Sequence, residues 1–339
     1  MVQKYLYSHR IYLLLFLTLC SRFVFAQSCN PQLTLNSITD PGSYTVATLT
    51  ESDGIRNGPD YAGATIYYPT NAAPPFPSIT IVPGYVSAQS TIQAWGPFLA
   101  SHGIVTITIG TNSIFENPPA RRDALLDAIV TLTGEDTRTG SPLNGNLDVQ
   151  KIAVGGWSMG GGGAQLAAAA DPTLKAVVAL CPWLDTQTTP AEINHAVPLL
   201  IFSAEQDAIA TPASHADVHY DNTPATTDKL IYEIAGAGHQ VANSPTGGQD
   251  YVGKIALSWL KLYLIDDNCY CPLLLDTPPT ASKYLTNVEC ASDVASVNDI
   301  RVESDLAIQL YPNPSNGSIN LEVKTIGQGT TITLHLPKS

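Results

Sequence analysis

The chain has 339 residues and a formal net charge of −13, with only 13% of its residues charged. That balance excludes nucleic acid and anionic lipid as electrostatic partners, since both need clustered Lys and Arg. It leaves a neutral substrate as the open class.

Lys4 and Arg10 precede the apolar run 11–19, and Val24-Phe25-Ala26 offers a small residue at a cleavage position. This pattern reads as a signal peptide over 1–26. The run is shorter than the roughly 20 apolar residues a spanning helix needs, so the protein is expected to be secreted and soluble, with no membrane partner. From about residue 33 to 266, short β-branched runs alternate with helical stretches. The pattern predicts strands over 64–68, 78–82, 105–109, 152–155, 176–180, 198–203 and 229–234. Helices are predicted over 90–102, 119–131, 158–170, 212–220 and 249–264. Strands that read as continuous apolar runs between helices predict an α/β fold with a mostly parallel sheet covered on both faces.

Beyond Asp266 the composition turns linker-like, with Pro278-Pro279 and scattered Ser, Asn and Asp through about Val302. The terminal cysteines extend the catalytic domain over 27–290 and leave 291–305 as linker. Alternation on either side of 312–317 predicts two short strands around a turn. Tyr311-Pro312-Asn313-Pro314, followed by Gly317, resembles the start of the C-terminal sorting domain of Bacteroidetes-type type IX secretion. The resemblance implies a partial sorting domain over 306–339.

Export gives the cysteines a structural meaning. Cys20 leaves with the leader, and Cys29, Cys181, Cys269, Cys271 and Cys290 remain. Cys181 ends an apolar run and is expected to be buried and free. Cys271 and Cys290 flank a loop and are the favoured pair. Cys269 competes with Cys271 for that bond or reaches Cys29, and sequence does not decide between the two.

The chemistry is carried by Gly156-Trp157-Ser158-Met159-Gly160, between the apolar run 151–155 and an alanine-rich helical stretch. Strand, G-x-S-x-G and helix together form a nucleophile elbow, which exposes the serine hydroxyl on a tight turn. Serine needs a base and a group to orient that base, and in this arrangement they follow in chain order as acid and then histidine. Asp207 follows the strand predicted over 198–203, and His239 lies in the glycine-rich loop after 229–234. Glu205 and Asp185 compete as the acid. His195, His215 and His219 are read as surface or structural. Two backbone amides must bind the oxyanion. Met159, next after the nucleophile, supplies one, and Tyr85 in Pro83-Gly84-Tyr85 supplies the other. Trp183 stands beside the elbow, where it and Tyr85 can sandwich an acyl group. Only about 16 residues separate Cys181 from the next strand, too few for a lid domain, so an open groove is expected.

These pieces resemble the cutinase-like polyester hydrolases, including enzymes acting on poly(ethylene terephthalate). The resemblance covers roughly 36–290. It rests on Pro83-Gly84-Tyr85 with Gln89-Ser90, the glycine run 160–163 after Ser158, Pro182-Trp183, Asp207 with Ile209-Ala210 and His215-Ala216, Gly238-His239, and Ser258-Trp259-Leu260-Lys261 before Asp266-Asp267-Asn268. It implies an α/β-hydrolase fold, the triad Ser158, Asp207 and His239, and the oxyanion amides of Tyr85 and Met159. It also implies cleft walls of Tyr85, Trp183 and Ile209 and a terminal disulfide near Cys271–Cys290. No cofactor is expected, and although the surplus of carboxylates leaves room for a structural calcium ion, no metal-ligand cluster is evident. The chain departs from the family pattern at Val86, where threonine is common, and at Pro212, a proline displaced from just after the acid. The expected activity is polyester hydrolysis by a monomer, with polymeric or small esters as substrates. A general short-chain esterase and an idle binding protein are the competing readings.

Overall fold

The computed structural model describes residues 29–30, 32–183 and 193–290, and the backbone of 318–323 and 330–335. The signal peptide, the linker and Asp185 lie outside the described residues. Two units divide the chain, 1–292 and 293–339.

In the first unit the apolar runs become strands because β-branched side chains pack well on both faces of a pleated surface. The sheet order is β1 (Val46–Thr50), β2 (Ala64–Pro69), β4 (Val105–Ile109), β3 (Phe76–Val82), β5 (Leu147–Trp157), β6 (Ala176–Leu180), β7 (Leu199–Ala204), β8 (Lys229–Ile234) and β9 (Ala281–Thr286). From β4 to β8 every pairing is parallel. At the edges, β1, β2 and β9 pair antiparallel. The interior strands β3, β4, β6, β7 and β8 are buried along their whole length.

Alternate residues of each strand feed two cores. On one face Ile79, Val178, Phe202 and Tyr232 pack with α1 (Trp95–Ser101) and α5 (Tyr251–Ile265). On the other, Val154, Val177 and Ile201 pack with α2 (Pro118–Glu135), α3 (Met159–Ala170) and α4 (Ala216–Asn222). A mostly parallel mixed sheet flanked in this way is the α/β-hydrolase fold.

Two expectations are corrected. The stretch after Asp266 is not linker throughout: it contains two one-turn 3-10 helices and β9, which closes the sheet beside β8. β1 was not expected at all, and it extends the sheet beyond β2, which itself pairs antiparallel with β4. In the second unit, β10 (Ser318–Val323) pairs antiparallel with β11 (Thr330–His335), while the turn expected at 312–317 and the strand before it lie outside the described residues. Two helices also start later than expected, because 3-10 turns precede α1 and α4.

Cys271 and Cys290 are bonded, and so are Cys29 and Cys269, which resolves the alternatives left open for Cys269. Cys181 is buried and free.

Candidate active site

β5 ends at Trp157 and α3 begins at Met159, so Ser158 alone makes the turn, with φ 59 and ψ −122. That is a costly conformation for a residue bearing a Cβ. It is fixed from both sides: the Ser158 amide donates to Leu180 O at 2.8 Å, while its carbonyl accepts from Trp183 N at 2.9 Å. The glycines permit the closeness. A Cβ on Gly160 would lie 2.5 Å from Val82 O, and one on Gly84 would lie 2.7 Å from the Ser158 Cβ. The Pro83-Gly84-Tyr85 loop therefore rests directly against the elbow.

The Ser158 hydroxyl donates to His239 Nε2 at 2.8 Å, and His239 Nδ1–H donates to Asp207 Oδ2 at 2.6 Å. All three side chains are buried. The other Asp207 oxygen accepts from the amides of Ile209 and Ala210, both at 2.8 Å. Burial pushes the Asp207 pKa up, but the hydrogen bond from His239 and the two amides outweigh it. The net effect holds the carboxyl below its ordinary 3.8. Asp207 is thus ionised and fixes the imidazole with its proton on Nδ1, leaving Nε2 free to accept.

The competing residues are occupied elsewhere. Glu205 accepts from the Gly236 amide at 2.7 Å, anchoring the start of the histidine loop. His195 bonds Gln165 at 2.7 Å, and burial pushes its pKa down to about 4. His219 is fully buried on α4, where burial brings its pKa to about 3. Both are buried core residues, the structural one of the two roles expected for them. His215 stacks on Trp183, with ring centroids 5.5 Å apart and planes 29° off parallel.

Tyr85 and Met159 keep their amides free of acceptors among the described residues, as an oxyanion hole requires. Tyr85 and Ile209 are both exposed, at 47% and 64%. Beside the imidazole the groove continues over Ile209, Ala237, Gly238, Gln240 and Val241. Trp183 is half-buried, with one face covered by His215.

Two residues that sequence reasoning passed over belong here. Trp157, the variable residue of G-x-S-x-G, donates its indole N–H to the His239 carbonyl at 2.9 Å and packs on the imidazole at 5.0 Å. Phe115 is 64% exposed and meets the Tyr85 ring edge-on, with centroids 5.8 Å apart. An apolar pair within Ile114-Phe115, in an otherwise polar loop, was its only sequence signal. Among the described residues no group of three His, Cys, Asp or Glu side chains is gathered to hold a metal.

A family model described as PET hydrolase-like matches residues 26–292. The chain belongs to that family. It is a carboxylic ester hydrolase by that membership. Among curated proteins, a bis(hydroxyethyl) terephthalate hydrolase of Streptomyces coelicolor is 38% identical over 237 residues, 68% of this chain and 72% of the relative. Cutinase est2 of Thermobifida alba is 35% identical over 242 residues, 71% and 77% of the two chains. Cutinase 2 of Thermobifida cellulosilytica is 34% identical over 232 residues, 68% and 84%.

Proposed function

We propose that this family member is a secreted serine esterase that cleaves polyesters, of the cutin-like, aliphatic or terephthalate kind, through an acyl-enzyme. His239 Nε2 takes the Ser158 proton as Oγ attacks the ester carbonyl. Asp207 stabilises the imidazolium without taking its proton, and the amides of Tyr85 and Met159 bind the oxyanion. His239 then protonates the leaving alcohol, and water releases the acid by the same route. The observation that carries the reading is the unbroken Ser158–His239–Asp207 hydrogen-bond chain at the rim of an exposed apolar groove. A long or bulky acyl chain can lie along that groove without threading an enclosed tunnel.

The competing substrate is a small soluble ester. One relative is named for bis(hydroxyethyl) terephthalate, a compact diester. Purified protein and its Ser158→Ala variant, given a p-nitrophenyl ester, bis(hydroxyethyl) terephthalate and an amorphous polyester film, separate these readings. Turnover of all three by wild type and none by the variant is the expected result. Soluble turnover with an untouched film makes this a small-ester hydrolase, and no turnover at all leaves a binding protein.

The leader over 1–26, the linker over 291–305 and the tail over 306–339 belong to the same proposal. They describe a Bacteroidetes-type enzyme exported across the inner membrane and sorted by a type IX route. A chain truncated at residue 292 should then stay inside the outer membrane while keeping full esterase activity.

A further inference from the structure

Arg121, in the first turn of α2, is 0% exposed. A buried guanidinium ordinarily has a carboxylate partner, because an unpaired charge is costly away from water. Here Nη1 donates to the Pro83 carbonyl at 2.8 Å, Nε to the Glu116 carbonyl at 3.2 Å and Nη2 to the Ile114 carbonyl at 3.3 Å. Among the described residues no carboxylate forms an ion pair with it. The Glu116 side chain is turned to the Ser113 amide, 3.0 Å from Oε1, and its Oε2 has no partner. Burial lowers the Arg121 pKa to about 10, with Glu116 pulling it back up, so the group is a cation at neutral pH.

The positions of two of these carbonyls give the guanidinium a purpose. Pro83 lies just before Gly84-Tyr85. The Ile114 carbonyl also accepts the Val86 amide, at 2.7 Å. One planar group thus grips the main chain on both sides of the Tyr85 amide, directly at Pro83 and through Ile114 at Val86. The segment needs such a grip, since Val86 sits at φ 53, a region that β-branched residues disfavour. Helix α3 makes room for it: a Cβ on Gly163 would come within 2.8 Å of the Arg121 Cβ.

We propose that Arg121 is a positioning residue for the oxyanion hole, clamping the Pro83–Val86 segment so that the Tyr85 amide stays aimed at the reacting ester. The proposal rests on the serine-esterase reading above. Lysine keeps the charge but cannot span two carbonyls in a fixed plane, and glutamine keeps one or two donors without the charge.

The test compares wild type, Arg121→Lys and Arg121→Gln on p-nitrophenyl butyrate, with active sites counted by a fluorophosphonate. Phenylboronic acid serves as a tetrahedral adduct that puts an oxygen in the hole. In Arg121→Gln, kcat per counted site should fall about 10–10²-fold, the scale of a displaced donor, with KM within about threefold. The inhibition constant of the boronic acid should rise by the same factor as kcat falls, and Arg121→Lys should recover part of the loss. Variants with a lower Tm but unchanged kcat per site and unchanged boronic acid affinity would reduce Arg121 to a packing residue and overturn the proposal. Should neither variant fold, hydrogen exchange in wild type decides: the Val86 amide should be protected although its side chain is exposed. Exchange at the rate of an open loop would overturn the clamp. If fluorophosphonate fails to label wild type, the serine-esterase reading itself is what falls.

Discussion

The two lips of the cleft are built in opposite ways. The acid–histidine lip, 205–210 and 235–241, is held by many local bonds. Glu205 N donates to Ile234 O at 3.1 Å, Gln206 N to Ala237 O at 2.8 Å, and the Glu205 carboxylate ties back to Gly236. The proposed oxyanion lip, 83–86 with 114–115, has few bonds of its own, chiefly Val86 N to Ile114 O at 2.7 Å, and its main-chain carbonyls at Pro83 and Ile114 converge on the Arg121 side chain. Redundant local bonding tolerates the loss of any one member, whereas a single anchor concentrates the geometry of the lip in one residue. The two lips should therefore respond differently to substitution.

The largest effect expected is at Asp207, where the redundancy ends because, among the described residues, one carboxylate alone reaches His239. Asp207→Asn should lower kcat by about 10³–10⁴-fold with KM little changed, since an amide no longer holds the productive tautomer. The same substitution changes stability with pH. Because the native carboxyl titrates below 3.8, its stabilisation is complete above that value and is lost as pH falls through the lower native pKa. Denaturant melts between pH 2 and 6 should show this loss in wild type and not in the variant.

Next comes the support behind the histidine lip. Cys290→Ser removes a crosslink spanning 19 residues of separation. It should cost about 3 kcal/mol of stability and leave kcat at room temperature unchanged, because β8 keeps its pairing with β7. A matching loss of kcat would mean that the lip depends on β9 and is less redundant than its bonding suggests. Smaller again is Trp157→Phe, which deletes one hydrogen bond to the His239 carbonyl. A loss of about 1 kcal/mol in transition-state stabilisation, roughly fivefold in kcat, is expected on all substrates. Smallest is Phe115→Ala on the oxyanion lip. Film hydrolysis should drop about two- to fourfold, the worth of one aromatic contact, while p-nitrophenyl butyrate turnover holds. Equal losses on both substrates would move Phe115 from substrate contact to support of Tyr85.

The sequence carried the site better than its supports. Ser158, Asp207 and His239 follow from strand order and glycine placement, because the elbow and the two loops are local. β1 and β9 escaped notice because edge strands are half exposed, and their polar alternation over 46–50 and 281–286 lacks the apolar continuity of the interior. Nothing in the sequence around Arg121 marks it as buried. Only the glycine face of α3, brought against it by tertiary packing, turns it inward. For His195 and His219 the sequence does not choose between a surface and a structural role, for the same reason: burial of a polar side chain is decided by elements far away in sequence.

The paired disulfides have a mechanical consequence. A pull applied between Cys29 and residues beyond Cys290 travels from Cys29 across to Cys269, along two peptide links to Cys271, and across again to Cys290. Residues 30–268 and 272–289, which include the whole sheet, lie off that load path. Tension between the two ends of the catalytic unit is shunted through sulfur, and the chain through the Ser158 elbow enters that path only when the Cys29–Cys269 disulfide is reduced.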